Sequence, residues 1–116
     1  MPRKKSSRRY SVYVIRLDPK VLEMRKFAEE NPDHVEGKPC VYVGMTWHTP
    51  RFRLGQHLQG TRKCFPAKLV RNFGVGLMPK LYEKYNLKLM TEAKAAKREV
   101  KLAERLRKRG YAVWQM

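Results

Sequence analysis

Acidic residues are scarce in this chain. Ten Asp and Glu stand against 27 Lys and Arg among 116 residues, a formal net charge of +17. A small domain needs far less charge to stay soluble, so the excess points to a polyanionic partner. Cysteine is nearly absent: Cys40 and Cys64 are too few for a disulfide framework or a four-thiolate zinc site. His34, His48 and His57 show no paired ligand spacing with them. No apolar run approaches the roughly 18 residues of a membrane span. The basic start MPRKKSSRR leads straight into the strand-like YSVYVIRL, without the length or cleavage site of a signal peptide. The expectation is an intracellular, reduced protein that does not enter membranes.

What is present is unevenly placed. Residues 1–9 hold five basic residues and no acid, and read as a flexible basic arm. Residues 18–36 hold six acids against three bases. Residues 37–82 then contain no Asp or Glu, but do contain Arg51, Arg53, Arg62, Lys63, Lys68 and Arg71. A surface cleared of acids suits phosphates, so Arg51, Arg62, Lys63, Lys68 and Arg71 are candidate nucleic-acid contacts. A generally basic, solvated face is the alternative reading of the same charge.

The pattern of residues predicts an α/β domain with a small sheet and several helices. Tyr10–Leu17 is rich in β-branched and aromatic residues and reads as a strand. Asp18-Pro19 opens a helix to about Glu30, with Val21, Met24 and Ala28 at helical spacing. Pro39–Met45 reads as a second strand, so the first helix is an insertion within a hairpin. Thr49-Pro50 opens a helix through about Leu58. Ala67–Phe73 reads as another, closed by Gly74 and Gly76. Residues 77–89 are ambiguous, with a short helix ending at Asn86 as one reading. Thr91 caps a long helix to Arg109 with Gly110 as its stop, and Tyr111–Trp114 reads as a last strand.

The long helix carries an acid in an unusual place. At about 100° per residue, with Ala96 as origin, its apolar face runs from about −120° to +60°, and Glu99 falls at about −60°, within that face. A buried carboxylate must be paired, protonated or bound to a metal; an ion pair with an arginine is the plainest alternative. Arg107, at about +20°, breaks the pattern in the last turn, where a cation suits the helix dipole. Arg53 and His57, at i and i+4, share one helix face. A guanidinium beside an imidazole makes a phosphate clamp with a titratable neighbour, or two exposed polar residues on a short helix.

These residues fall in an order that resembles a known family. Ser11-Val12-Tyr13 in a first strand and Tyr42-Val43-Gly44 in a second resemble the paired motifs of the GIY-YIG endonuclease superfamily. Thr49 to His57 (TPRFRLGQH) resembles that family's helix bearing an essential Arg and, four residues on, a His or Tyr. Ala96–Val113 resembles its helix with a single essential Glu, which falls on Glu99. The similarity spans residues 10–114. Two departures stand out: the first motif reads S-V-Y, and 28 residues separate Tyr13 from Tyr42, as Val14 to Val41, where the family usually has about ten. The acidic segment 18–36 fits a helical insertion away from the site.

The resemblance implies a small three-stranded, mainly antiparallel sheet flanked by helices, with residues 10–116 forming one nuclease domain behind the arm. It implies hydrolysis of a DNA phosphodiester with one divalent ion, Mg²⁺ or Mn²⁺, held by Glu99. Arg53 would neutralise charge on the phosphate, Tyr13 or Tyr42 would take the water's proton, and His57 would assist. The substrate would be double-stranded or structured DNA, with a protein partner or a dimer as a source of specificity. A non-catalytic nucleic-acid-binding module on the same fold is the alternative.

Overall fold

The computed structural model describes residues 8–59 and 65–115. It is a mixed α/β structure. The strands are β1 (Ser11–Leu17), β2 (Cys40–Thr46), β3 (Gly74–Leu77) and β4 (Ala112–Gln115), and the helices are α1 (Arg25–Glu29), α2 (Pro50–Gln59), α3 (Phe65–Phe73) and α4 (Glu92–Lys108). One sheet holds the strands in the order β3-β1-β2-β4. β1 pairs antiparallel with β2, from Ser11 opposite Thr46 to Leu17 opposite Cys40. β4 joins parallel to β2.

The sheet has four strands among the described residues, not the three expected. The addition is β3, which pairs antiparallel with β1 through Leu77–Ile15 and Gly76–Arg16. In the sequence, Gly74 and Gly76 read only as helix terminators. Gly74 does end α3, and a Cβ there would run into the Val70 carbonyl. The chain then continues directly as an edge strand.

The segment between β1 and β2 also differs from the single helix expected. It forms a 3₁₀ turn at Pro19–Glu23, capped by the Asp18 side chain, then breaks at Met24 in extended backbone before the five-residue α1. Its anchors are Val21 and Phe27, both fully buried, whereas Met24 and Ala28 are exposed. Val21 and Phe27 would sit about 120° apart on one continuous α-helix; the break at Met24 turns both inward. The segment is also tied to the far side of the sheet. Asn31 Nδ2 donates to the Phe27 carbonyl (2.9 Å), and its Oδ1 accepts from the Val113 amide of β4 (2.7 Å).

The other helix starts follow their caps. Phe52 N donates to Thr49 Oγ1 (3.1 Å) and Lys94 N to Thr91 Oγ1 (3.2 Å). Gly110 follows α4 at φ +93°, with Val35 packed where a Cβ would point. Residues 79–86 form two 3₁₀ turns. Asn86 there donates to the Val12 carbonyl (2.7 Å) and accepts from the Val12 amide (3.0 Å).

The buried face of α4 is narrower than expected. Ala95, Glu99, Leu102, Ala103 and Leu106 are buried, while Ala93, Ala96 and Val100 face solvent. Glu99 therefore lies in the middle of the packed stripe. Arg107 is half-buried and donates to the Val113 carbonyl (3.0 Å), so it has a packing role beyond the helix dipole. No helix among the described residues is long and apolar enough to cross a membrane.

Candidate active site

The site begins with the two central strands. Tyr13 pairs with Gly44, and Tyr42 with Ile15, so the two tyrosines are diagonal neighbours on one face. Their ring centroids are 6.1 Å apart. Tyr13 lies over Gly44 so closely that a Cβ on that glycine would stand 2.6 Å from the phenol oxygen. The glycine of the Y-V-G run is thus the space Tyr13 occupies.

From above, α2 contributes two side chains one turn apart. The His57 ring stands edge-on to Tyr42 at 5.6 Å and lies 6.3 Å from Tyr13. Its Nε2 is hydrogen-bonded to the Tyr13 hydroxyl at 3.1 Å. Arg53 donates from one guanidinium nitrogen to Gln56 Oε1 (3.1 Å). Its Nε is buried without a hydrogen-bond partner among the described residues.

Glu99 enters from α4. It is 5% exposed. Burial pushes its carboxyl up to about 7, against a hydrogen bond with Gln115 of β4 that holds it down. Among the described residues no arginine takes part in setting its ionisation, which leaves the ion-pair alternative without support there. Burial also raises both tyrosines. For Tyr13, the Arg53 charge and hydrogen bonding from Arg53 and Tyr42 oppose that rise, while Glu99 adds to it. For Tyr42, neighbouring Tyr13 and Glu99 push further up, and Arg53 offsets them in part.

Tyr13, Tyr42, Arg53, His57 and Glu99 thus converge, although they lie on four different elements. Gln115 joins them and was not anticipated. Its signal was faint: the last strand reads as ending at Trp114, and its parallel pairing to β2 is not a local property. Among the candidate phosphate contacts, Arg51 is exposed in the first turn of α2, and Lys68 and Arg71 are exposed on the adjoining α3. Arg62 and Lys63 lie outside the described residues, as do residues 1–7 of the arm.

A divalent cation fits the donors present. The described residues hold no group of three or more His, Cys, Asp and Glu, so a soft or four-coordinate protein site is not offered. Glu99 presents hard carboxylate oxygens, and an ion that keeps most of its water needs few others. Comparison with family models, curated proteins and solved structures finds no match to this chain.

Proposed function

We propose that the protein is a metal-dependent DNA endonuclease of the GIY-YIG type. The observation that carries this reading is the convergence of Tyr13, Tyr42, Arg53, His57 and Glu99 from β1, β2, α2 and α4. The +17 charge supplies the attraction to DNA.

Glu99, oriented by the Gln115 amide, would hold Mg²⁺ or Mn²⁺, which supplies charge stabilisation at the phosphate and the leaving oxygen. The Arg53 guanidinium, with its unpartnered Nε, binds a non-bridging phosphate oxygen and offsets the charge that grows there. Because burial keeps Tyr13 protonated at neutral pH, it acts better as a relay than as a pre-formed phenolate. A water oxygen attacks phosphorus as its proton passes to the Tyr13 oxygen. The Tyr13 proton passes to His57 Nε2 along their hydrogen bond. The P–O3′ bond breaks, and the 3′ oxygen takes a proton from solvent. Tyr42, its ring centroid 6.1 Å from that of Tyr13, offsets part of the effect of burial on the Tyr13 phenol.

One observation favours the non-catalytic module. Tyr13 and Tyr42 are fully buried, so a phosphate meets their hydroxyls only after the side chains that cover them shift. Incubation of supercoiled plasmid with the protein in Mg²⁺ and in EDTA separates the readings. Nicking in Mg²⁺ alone supports the nuclease; tight, salt-sensitive binding with intact plasmid in both conditions refutes it.

A further inference from the structure

Beside the site lies an aromatic cluster that the chemistry above does not use. Trp47 and Phe52 are 52% and 53% exposed, a costly display for large apolar side chains on so small a surface. They are linked through His48, whose ring lies 5.2 Å from Trp47 and 4.7 Å from Phe52. Arg9 covers part of Trp47, its guanidinium carbon 4.8 Å from the ring centroid. The turn that carries them is fixed at both ends, since His48 N donates to Thr46 Oγ1 (3.0 Å) and Phe52 N to Thr49 Oγ1.

We infer that Trp47, His48 and Phe52, with Arg9, form a stacking platform for unpaired bases, so that the preferred ligand is DNA with a single-stranded element next to the cleaved phosphate. Exposed rings with a guanidinium in a basic setting match what single strands require: π faces for bases and cations for the backbone. The charge is complementary, since the 37–82 stretch around the platform has no Asp or Glu. The position is also suitable. Phe52 precedes Arg53 in α2, and Trp47 lies one residue beyond the end of β2, the strand that carries Tyr42.

The inference rests on the DNA-binding half of the proposed function and not on cleavage, so it is tested in EDTA. Fluorescence anisotropy would compare a labelled thymidylate single strand of about 15 nucleotides with a blunt duplex of equal length. Trp47→Ala and Phe52→Ala should each weaken single-strand binding about 10-fold, and duplex binding less than 2-fold, with the salt dependence unchanged. Trp47→Phe keeps a π face and should retain most single-strand affinity, which excludes general misfolding. Equal losses on both ligands, or unchanged single-strand binding in the double alanine variant, would overturn the inference and leave a protein-docking patch. Failure of the nuclease reading looks different: plasmid stays intact in Mg²⁺ while the single-strand preference persists.

Discussion

Gly44 sits directly opposite Tyr13 in the β1–β2 pair, and the phenol ring fills the space where any other residue would place its Cβ. Gly44→Ala should therefore displace Tyr13, destabilise the fold by about 1–3 kcal/mol and cut plasmid nicking at least 10-fold. Gly55 in α2 has open space at its Cβ position; Gly55→Ala should stabilise by about 0.5–1 kcal/mol. Urea denaturation of both variants checks the contrast, and equal effects would contradict it.

Glu99 makes stability fall with rising pH in the metal-free protein. Its folded-state value, about 7, lies above the ordinary 4.5 because burial disfavours the ionised form. The native state therefore binds the extra proton between those values, and stability declines from about pH 4.5 to 7, then levels off. The total is at most about 3 kcal/mol. Glu99→Gln should flatten this part of the curve and raise stability at pH 8, while abolishing Mg²⁺-dependent nicking and largely preserving DNA binding. Thermal melts in EDTA from pH 4 to 8 report the first effect. A Glu99→Ala variant that cuts at the wild-type rate would remove the assignment.

Arg53→Ala should slow nicking about 10²-fold or more through lost stabilisation of the transition state. Arg53→Lys keeps the charge but not the planar fork, and should recover only part of the rate. Single-turnover kinetics separate this from weaker binding.

Tyr13 and His57 share one hydrogen bond, so their losses should not add. Tyr13→Phe and His57→Ala should each reduce nicking strongly, with the double variant little worse than the slower single. Fully additive losses would show that the two act independently.

Asn86→Ala removes both hydrogen bonds to the Val12 backbone. It should cost about 1–3 kcal/mol and loosen the start of β1, seen as faster amide exchange at Val12.

Much of the site was legible because its signals are local. Helical i, i+4 spacing places Arg53 beside His57, and helical phase places Glu99 in the buried stripe. The order of the two tyrosine motifs matches adjacent strands. Non-local features were harder to read. β3 has four residues and two glycines, so no alternation marks it, and only its pairing with β1 makes it a strand. Phe27, which anchors the β1–β2 connection with Val21, does not share one helical phase with it, because the chain breaks at Met24 between the two. Gln115 meets Glu99 only once β4 lies parallel to β2. The aromatic cluster of Trp47, His48 and Phe52 spans a turn and a helix start, where neither strand nor helix periodicity groups them.

Asparagine does unusual duty at the margins of the sheet. Val113 on β4 gives its amide to Asn31 and its carbonyl to Arg107, and Val12, beyond the reach of β3, is clasped at both groups by Asn86. Side-chain amides thus stand in for missing neighbour strands and leave less free backbone to recruit another chain. The acidic 18–36 segment, which supplies Asn31, is in this sense a guard against association. Excising it would remove Asn31, open the β4 edge and favour filaments or swapped dimers.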